Sequence, residues 1–294
     1  MDNESKYLLY KGLLVPKICH TPESLKYAEE FCVRDDDVFA VTYPKSGTTW
    51  MQEIIPLILS DGDLTPIQTI PTWDRMPWLE ETRAQLFLDS RPSPRAIVSH
   101  LWYQHMPPSF FKSKAKVIYV TRNPKDVIVS SFHFHQMATF LDDPGTFDEF
   151  LEKCLTGKTF FGKWTDHVKS WRTPELKDRI LYITYERNEA GSTSVSDLRA
   201  AVVKFSQFLG KTISDEIIDK ITENCIFKNM KQNNMSNFSL VPNEIMDSSK
   251  SEFLRKGISG DWKNYFTTPQ NEYFNSVYQK EMKDTEIQFP WDKE

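Results

Sequence analysis

The chain has 294 residues, a formal net charge of -5 and a pI near 5.8. Hydrophobic residues make up 39% and charged residues 26%, an ordinary globular composition that excludes collagen-like, disordered and disulfide-scaffold classes. A mildly acidic chain without a basic tail is not expected to bind nucleic acid. Aromatic residues reach 13%, which fits either a large aromatic core or an aromatic-lined apolar pocket.

The sequence predicts neither a secretory leader nor a membrane span. Residues 1–12 lack the apolar segment of a signal peptide, and the longest apolar run, 54–59, is too short to cross a bilayer. The four cysteines are scattered, without the spacing of a zinc site. We therefore expect free thiols in a reducing, cytoplasmic compartment and no membrane association.

The first elements follow the order helix, strand, loop, helix. Residues 23–33 have the apolar spacing of an amphipathic helix, and 38–43 form a short β-branched and aromatic run typical of a buried strand. A tight polar loop follows. Residues 50–60 regain helical periodicity, with Thr48 or Thr49 expected as the N-cap.

Strands and helices continue to alternate along the rest of the chain. Further strands are predicted at 96–99, 116–122 and 179–186. Further helices are predicted at 127–138, 160–171, 196–210, 214–225 and 269–284. This alternation predicts an α/β fold with a central parallel sheet flanked by helices. Because no Gly/Ser linker divides the chain, we expect one domain over 1–294.

Residues 232–260 interrupt this pattern. The segment is rich in Asn, Ser and Met and is weakly periodic, which predicts a long flexible loop of the kind that is usually functional or disordered. It contains Arg255, Lys256 and Gly257. Two cations followed by a glycine could close over a phosphate, although a solvated basic turn is the alternative interpretation.

The loop after the first predicted βα strand has the chemistry of an anion site. Lys45 supplies a charge, Gly47 allows close backbone approach, and Ser46, Thr48 and Thr49 supply hydroxyls. Backbone N–H groups at a helix start, together with the helix dipole, attract anions. The loop is not a Walker A motif, because its lysine precedes the glycine. It predicts a phosphate site, with an ordinary strand–helix turn as the alternative.

Two further residues follow strand ends. Arg122 ends the strand at 116–122, and His100 follows the strand at 96–99. Ligands of open α/β sheets bind beyond the carboxyl ends of the strands, where a neutral imidazole could take a proton from a hydroxyl. Adjacent Glu80 and Glu81 are expected on different faces of a helix. No side chains have metal-ligand spacing, so no metal is expected.

Several segments together resemble one family. TYPKSGTTW (42–50), SHL (99–101), RNPKDV (122–127), TYE (184–186) and FLRKGISGDWKNYF (253–266) are similar, in order and spacing, to segments of the cytosolic sulfotransferases. The resemblance covers nearly the whole chain. PTWDRMPW (71–78) and FPWD (289–292) are most similar to the hydroxysteroid, or alcohol, branch.

The resemblance implies a cofactor and roles for the residues around it. The cofactor would be 3′-phosphoadenosine 5′-phosphosulfate (PAPS), with PAP as the product and no metal. The P-loop-like segment from Lys45 through Ser46, Gly47 and Thr48 to Thr49 would hold the 5′-phosphosulfate. Lys45 would stabilise the leaving nucleotide, and His100 would be the general base. The residues that would hold the 3′-phosphate are Arg122, Ser130, Arg255, Lys256 and Gly257. The residues implied around the nucleoside are Trp50, which would pack on the adenine, Tyr185, Phe227 and Cys225.

The resemblance also implies an acceptor pocket, covered by the loop at 232–256. Its expected wall residues are Trp73, Trp78, Phe134, Met137 and Phe238. Trp102, where the branch usually has proline, is expected to add bulk beside the acceptor entrance. Lys263, Thr267 and Glu272 match the family's dimer motif, but Thr268 replaces a valine, so only a weak homodimer is expected.

The leading hypothesis is transfer of a sulfuryl group from PAPS to the hydroxyl of a small hydrophobic acceptor, a steroid or sterol alcohol. One alternative is a phenol-directed sulfotransferase. An NTP-dependent kinase is disfavoured because the Walker A motif and metal ligands are missing. A catalytically silent nucleotide or lipid binder is disfavoured because both Lys45 and His100 are present.

Overall fold

The computed structural model describes residues 5–186 and 195–293. Its strands are β1 Tyr7–Tyr10, β2 Leu13–Pro16, β3 Val38–Thr42, β4 Ala96–Ser99, β5 Lys116–Thr121 and β6 Ile180–Thr184. Its α-helices are α1 Pro22–Glu30, α2 Thr48–Leu59, α3 Thr65–Thr69, α4 Thr72–Arg75, α5 Ala84–Leu88, α6 Pro108–Lys112, α7 Pro124–Met137, α8 Phe147–Leu155, α9 Trp164–Trp171, α10 Val195–Leu209, α11 Asp215–Asn224, α12 Phe227–Gln232 and α13 Thr268–Met282.

The predicted α/β architecture is confirmed. β4, β3, β5 and β6 form a parallel sheet in that order, and β1 pairs with β2 in a separate antiparallel hairpin. Ala40 on β3 lies opposite Val98 on β4 and Ile118 on β5. All five residues of β3 are buried, as expected for the central strand of a sheet covered on both faces.

Alternate residues of the sheet belong to two different cores. Phe39 and Val41 face a core that includes buried side chains of α1, α5, α6 and α9. Val38 and Ala40 face the other, built largely from α2, α10 and α11. This alternation follows from the twofold side-chain period of a strand. The helices therefore cover both faces of the sheet, and loops occupy the edge formed by the carboxyl ends of its strands.

A buried ion pair ties the opposite, amino-terminal edge. Arg95, just before β4, donates from Nε and Nη2 to Oδ1 and Oδ2 of Asp37, just before β3, at 2.8 and 2.6 Å. Both side chains are almost fully buried. A bidentate arginine–carboxylate pair fixes direction as well as distance. It holds the starts of the two strands whose other ends carry Lys45 and His100.

The start of α2 differs from the prediction. The helix begins at Thr48 after Gly47, which has a left-handed φ of 106° and provides no side-chain cap. Neither Thr48 nor Thr49 is the N-cap, so that expectation was wrong. The Thr48 hydroxyl instead pairs with the Thr42 hydroxyl at 2.6 Å, inside the protein. The N-terminus of α2 therefore begins without a side-chain oxygen on its N–H groups.

The predicted long loop lies between α12 and the 3₁₀ turn Asp261–Asn264, and it contains no helix or strand. It is anchored by backbone hydrogen bonds from Asp247 N to Met137 O at 2.7 Å and from Thr72 N to Met235 O at 2.9 Å. No helix in the described ranges is long and apolar enough to span a bilayer.

Candidate active site

The carboxyl ends of the four parallel strands meet at one cavity. Lys45 follows β3, His100 follows β4, Arg122 follows β5 and Tyr185 follows β6. All four residues line a cavity of about 390 Å³. The topology thus brings together residues that are far apart in sequence, as the position of ligand sites in open α/β sheets predicts.

Lys45 is an enclosed cation without an anionic partner among the described residues. Its backbone is left-handed, with φ of 68°, and its Nζ lies 4.3 Å from the ring centre of Phe134 and 4.1 Å from that of Phe253. Burial, together with the charges of Arg122 and Arg255, lowers the pKa of Lys45 to about 7. An anion bound here would stabilise the protonated form of Lys45 and raise its pKa again.

Hydrogen-bond donors without partners lie next to Lys45. The hydroxyl of Ser46 is buried and has no partner among the described residues, and neither does Nε of Arg122. Arg122 is held by a 3.0 Å hydrogen bond from Nη1 to Lys45 O, and its guanidinium stacks 4.4 Å from the ring of Tyr185. Orphaned donors beside an uncapped helix N-terminus are typical of an oxyanion site.

A second pair of cations lies on the loop at the same cavity. Arg255 and Lys256 contact Asp261 at 2.8 and 2.7 Å. Burial opposes ionisation of Asp261, but hydrogen bonds from Lys256, Asn264 and Arg255 outweigh it and lower its pKa to about 2. One carboxylate against two cations leaves this corner positively charged.

Gly257 places this basic segment against Phe227. It has φ of 66°, and a Cβ built on it would lie 2.3 Å from Cδ2 of Phe227. No side chain fits in that space without displacing the ring. The glycine therefore allows the loop to reach the cavity beside the two cations.

His100 is oriented by hydrogen bonds at both ring nitrogens. Nδ1–H donates to Thr42 O at 2.8 Å, and Nε2 accepts from Nε1–H of Trp78 at 2.8 Å. Because the indole N–H can only donate, this geometry assigns the lone pair to Nε2. Burial lowers the pKa of His100 to about 4. The ring is neutral at neutral pH, with Nε2 as a base.

Glu80 supports His100 and was missed by the sequence analysis. Its carboxylate accepts from His100 N at 2.7 Å and from the Ser99 hydroxyl at 3.0 Å. Burial raises its pKa to about 7. Glu80 and Glu81 lie in a turn, so their expected placement on a helix was wrong. Two adjacent carboxylates gave no spacing signal for this role.

Most of the predicted nucleotide and acceptor residues share this cavity. Besides those already described, its wall includes Thr48, Thr49, Trp50, Ser130, Cys225, Trp73 and Phe238. Ser46 lies behind the wall rather than on it. Trp73 and Phe238 contact each other with ring centres 5.1 Å apart, at an aromatic end formed partly by the long loop.

Two expected acceptor-side residues lie elsewhere. Met137 is buried outside the cavity wall, and its carbonyl anchors Asp247. Trp102 is also outside the wall: its Nε1–H donates to Phe161 O at 3.0 Å, and its ring stacks on His105. Trp102 therefore lies beside the cavity rather than on its wall, next to Phe161, which does line it. The Trp102 side chain braces the Phe161 backbone.

The site combines cations for an anionic group, a neutral base and an apolar end. Within residues 5–186 and 195–293, no His, Cys, Asp and Glu side chains are grouped so that they could hold a metal ion. The arrangement suits transfer of an anionic group to a hydroxyl, because charge is stabilised on one side and a proton is accepted on the other.

Comparison with known proteins agrees with this chemistry. The sulfotransferase domain family matches residues 35–286. Sulfotransferase 2B1 of Mus musculus is 47% identical over 98% of this chain and 83% of that protein. The 3-beta-hydroxysteroid sulfotransferase of Cavia porcellus is 41% identical over 97% of this chain and 98% of that protein.

Solved structures show the same relationship. Retinol dehydratase, in complex with androsterone and inactive cofactor PAP, matches with a TM-score of 0.80 at 25% identity, over 95% of this chain and 90% of that one. Mouse sulfotransferase SULT7A1 complexed with PAP matches with a TM-score of 0.76 at 31% identity, over 95% and 96%. The resemblance to the hydroxysteroid branch is confirmed, and this chain belongs to the sulfotransferase family.

Proposed function

We propose that this sulfotransferase transfers the sulfuryl group of PAPS to the hydroxyl of a steroid or sterol alcohol. The observation that carries the proposal is one cavity in which Lys45, Arg122, Arg255 and Lys256 lie at one side and neutral His100 lies against an apolar aromatic end. Relatives named as hydroxysteroid sulfotransferases and a neighbour bound to androsterone and PAP support the choice of ligands.

The residues present fit a nucleotide with two anionic ends. The orphaned Ser46 hydroxyl and the Lys45 ammonium, beside the uncapped start of α2, would hold the 5′-phosphosulfate. Arg122, with its orphaned Nε, would hold the 3′-phosphate. The other residues proposed for the nucleotide are Gly47, Thr48, Thr49, Trp50, Ser130, Tyr185, Cys225, Phe227, Arg255, Lys256 and Gly257. When bound, PAPS supplies the sulfuryl group and an anionic leaving group.

The chain's own residues supply base and charge. Nε2 of His100 accepts the proton of the acceptor hydroxyl, and the Thr42 carbonyl keeps the opposite nitrogen protonated. An aliphatic alcohol has a high pKa, so this base matters more than it would for a phenol. Lys45 offers a positive charge where negative charge develops on the leaving oxygen.

Trp73, Trp78, Phe134 and Phe238 would form the acceptor wall, with Met137 behind it. The four aromatic residues line the same cavity of about 390 Å³ as the proposed nucleotide-binding residues. Trp102 lies outside this wall, beside Phe161. A phenol-directed sulfotransferase is one alternative, which differs from this proposal only in the acceptor. A catalytically silent nucleotide or lipid binder is the other, and it would show no turnover.

Three further properties belong to the proposal. The chain acts as one domain whose loop at 232–260 opens and closes over both ligands. It works in the cytoplasm, which its four free cysteines suit. It forms a weak homodimer through Lys263–Glu272, where Thr268 is exposed in place of an apolar side chain.

The test is sulfate transfer from PAPS, without added metal, to matched steroid alcohols and phenols. Faster turnover of steroid alcohols is expected. The control is His100→Ala, which should lose turnover by about 10²-fold or more while keeping PAP binding, since the base does not contact the nucleotide. Faster turnover of phenols would contradict the acceptor class, and PAP binding without any transfer would indicate a silent binder.

A further inference from the structure

The acceptor cavity has a polar edge that the proposed reaction does not use. Cys19, His20 and Glu81 all line the cavity, although they come from two separate turns. A 2.9 Å hydrogen bond from Thr82 N to Cys19 O joins those turns. The polar edge therefore has a fixed backbone geometry. It shares the cavity with Trp73 and Trp78.

His20 is the informative residue of this edge. Its side chain is only 2% exposed, and Nδ1 lies 2.9 Å from Pro16 O, so Nδ1 carries the proton. Nε2 is then an acceptor, and it has no hydrogen-bond partner among the described residues. A buried acceptor without a partner costs free energy that a ligand can recover. Few buried polar atoms in native proteins are left in this state without a reason.

His20 lies close to the proposed reaction centre. The ring of Phe161 makes edge contacts to both imidazoles, at 5.7 Å from the centre of His20 and 5.2 Å from that of His100. A positive charge on His20 would lower the pKa of His100, as expected for two neighbouring imidazoles. An acceptor whose hydroxyl reaches His100 would therefore place other parts of the same molecule near His20.

We propose that His20 is a specificity-determining residue, whose Nε2 accepts a hydrogen bond from a second hydroxyl on the acceptor. The inference rests on the proposed function and narrows its substrate class from steroid alcohols to diols. The reacting hydroxyl contacts His100, and the second hydroxyl donates to His20.

A hydroxyl fits this edge better than a ketone or an ether. Burial lowers the pKa of His20 to about 4, so the ring is neutral and Nε2 can only accept. A carbonyl oxygen facing Nε2 would place two acceptors together. A hydroxyl can donate a hydrogen bond to Nε2 and therefore satisfies it.

The experiment compares kcat/KM for a steroid monoalcohol with that for a panel of diols, which differ only in the position of the second hydroxyl. We expect at least one diol to exceed the monoalcohol by about three- to tenfold, the usual effect of one neutral hydrogen bond. His20→Asn keeps a donor for the Pro16 carbonyl but removes the Nε2 acceptor, so it should abolish that preference. His20→Gln places an amide oxygen near Nε2 and should retain it.

His105→Asn is the matched control. His105 stacks on Trp102 outside the cavity, so this variant should keep the diol preference. Binding of the same steroids, followed by the fluorescence of Trp73 and Trp78, gives a readout independent of turnover. No preference in the wild type, or an equal preference in His20→Asn, would overturn the role of His20. Absence of transfer to every alcohol, with diol-selective binding retained, would instead overturn the proposed function.

Discussion

The indole N–H of Trp78 donates to Nε2 of His100 at 2.8 Å. The nitrogen that must accept a proton is therefore already hydrogen-bonded to a side chain of the protein. An acceptor hydroxyl has to replace this contact before it can react. Trp78 thus connects entry of the acceptor to exposure of the base.

Trp78→Phe should raise the pKa of His100. A hydrogen bond donated to the neutral imidazole disfavours its protonation, and its loss should raise the pKa from about 4 by about 0.5 to 1 unit. An NMR titration of the His100 ring measures this directly. The acid limb of kcat/KM should move to higher pH by the same amount. An unchanged ring pKa would show that Trp78 does not hold the lone pair in solution.

Lys45 should impose a pH limit on nucleotide binding. Its pKa of about 7 means that it is a cation below that pH and is neutral above it in the free protein. Affinity for PAP should therefore fall by up to about tenfold for each pH unit above 7. Lys45→Arg stays charged throughout, so its affinity should lack this decline.

Calorimetric Kd values between pH 6 and 9, for wild type and Lys45→Arg, test the prediction. Ionisation of the ligand's own phosphates affects both proteins equally, so the difference between the two curves is the measurement. Parallel curves would contradict a titrating Lys45. His100, with a pKa near 4, does not titrate in this range.

The sheet was predictable because each of its strands is a short, buried, β-branched run between polar turns. Residues 38–43 and 116–122 were each predicted to within one residue of β3 and β5. Topology then fixed the rest: the carboxyl ends of parallel strands share one edge, so Lys45, His100 and Arg122 had to meet. The β1–β2 hairpin was missed, because two four-residue strands carry little periodic signal.

Side-chain directions and lone polar groups were not predictable. Neither Trp102 nor Met137 lines the cavity: the Trp102 indole donates to the Phe161 carbonyl, and the Met137 side chain is buried outside the wall. Glu80 acts through contacts with Ser99 and His100, which are distant in sequence. The feature that marks His20 is its unpaired Nε2, and neither residue lies in a motif. Such roles become visible only once hydrogen-bond partners, or their absence, are known.

Glu80→Gln should make the protein's stability less dependent on pH. The pKa of Glu80 is raised from 4.5 to about 7 in the fold, so the fold disfavours its ionised form. Its contribution to stability therefore declines as pH rises from about 4.5 through 7. Glutamine stays neutral, and its amide oxygen can still accept from His100 N.

Raising the pH from 5 to 8 should therefore lower the Tm of the wild type more than that of Glu80→Gln. The difference in Tm between the two proteins should grow by a few degrees in favour of the variant. Glu80→Ala is the contrasting variant, because it leaves His100 N–H unpaired and should lower kcat. A Tm difference that is constant with pH would contradict a raised pKa for Glu80.

Arg255→Ala should weaken recognition of the 3′-phosphate selectively. Affinity for PAP should fall by about tenfold or more, while affinity for adenosine 5′-monophosphate should change little, because only PAP has the phosphate that a charge-assisted hydrogen bond would contact. Lys228→Ala, an exposed position on nearby α12, is the control for loss of one positive charge. Equal losses for both nucleotides in Arg255→Ala would place Arg255 elsewhere in the nucleotide site.

Gly257→Ala should reduce nucleotide affinity through geometry rather than charge. The added methyl group would lie 2.3 Å from Phe227, at a backbone φ of 66° that disfavours alanine. The ring or the basic segment must move, and either shift displaces Arg255 and Lys256 from their contacts with Asp261.

Gly260→Ala is the matched control. Gly260 also has a positive φ, but a Cβ built on it meets no atom within 4 Å. Both variants should lose some stability, but only Gly257→Ala should raise the Kd for PAP by about tenfold or more. Equal Kd values for the two variants would mean that the close approach to Phe227 does not shape the nucleotide site.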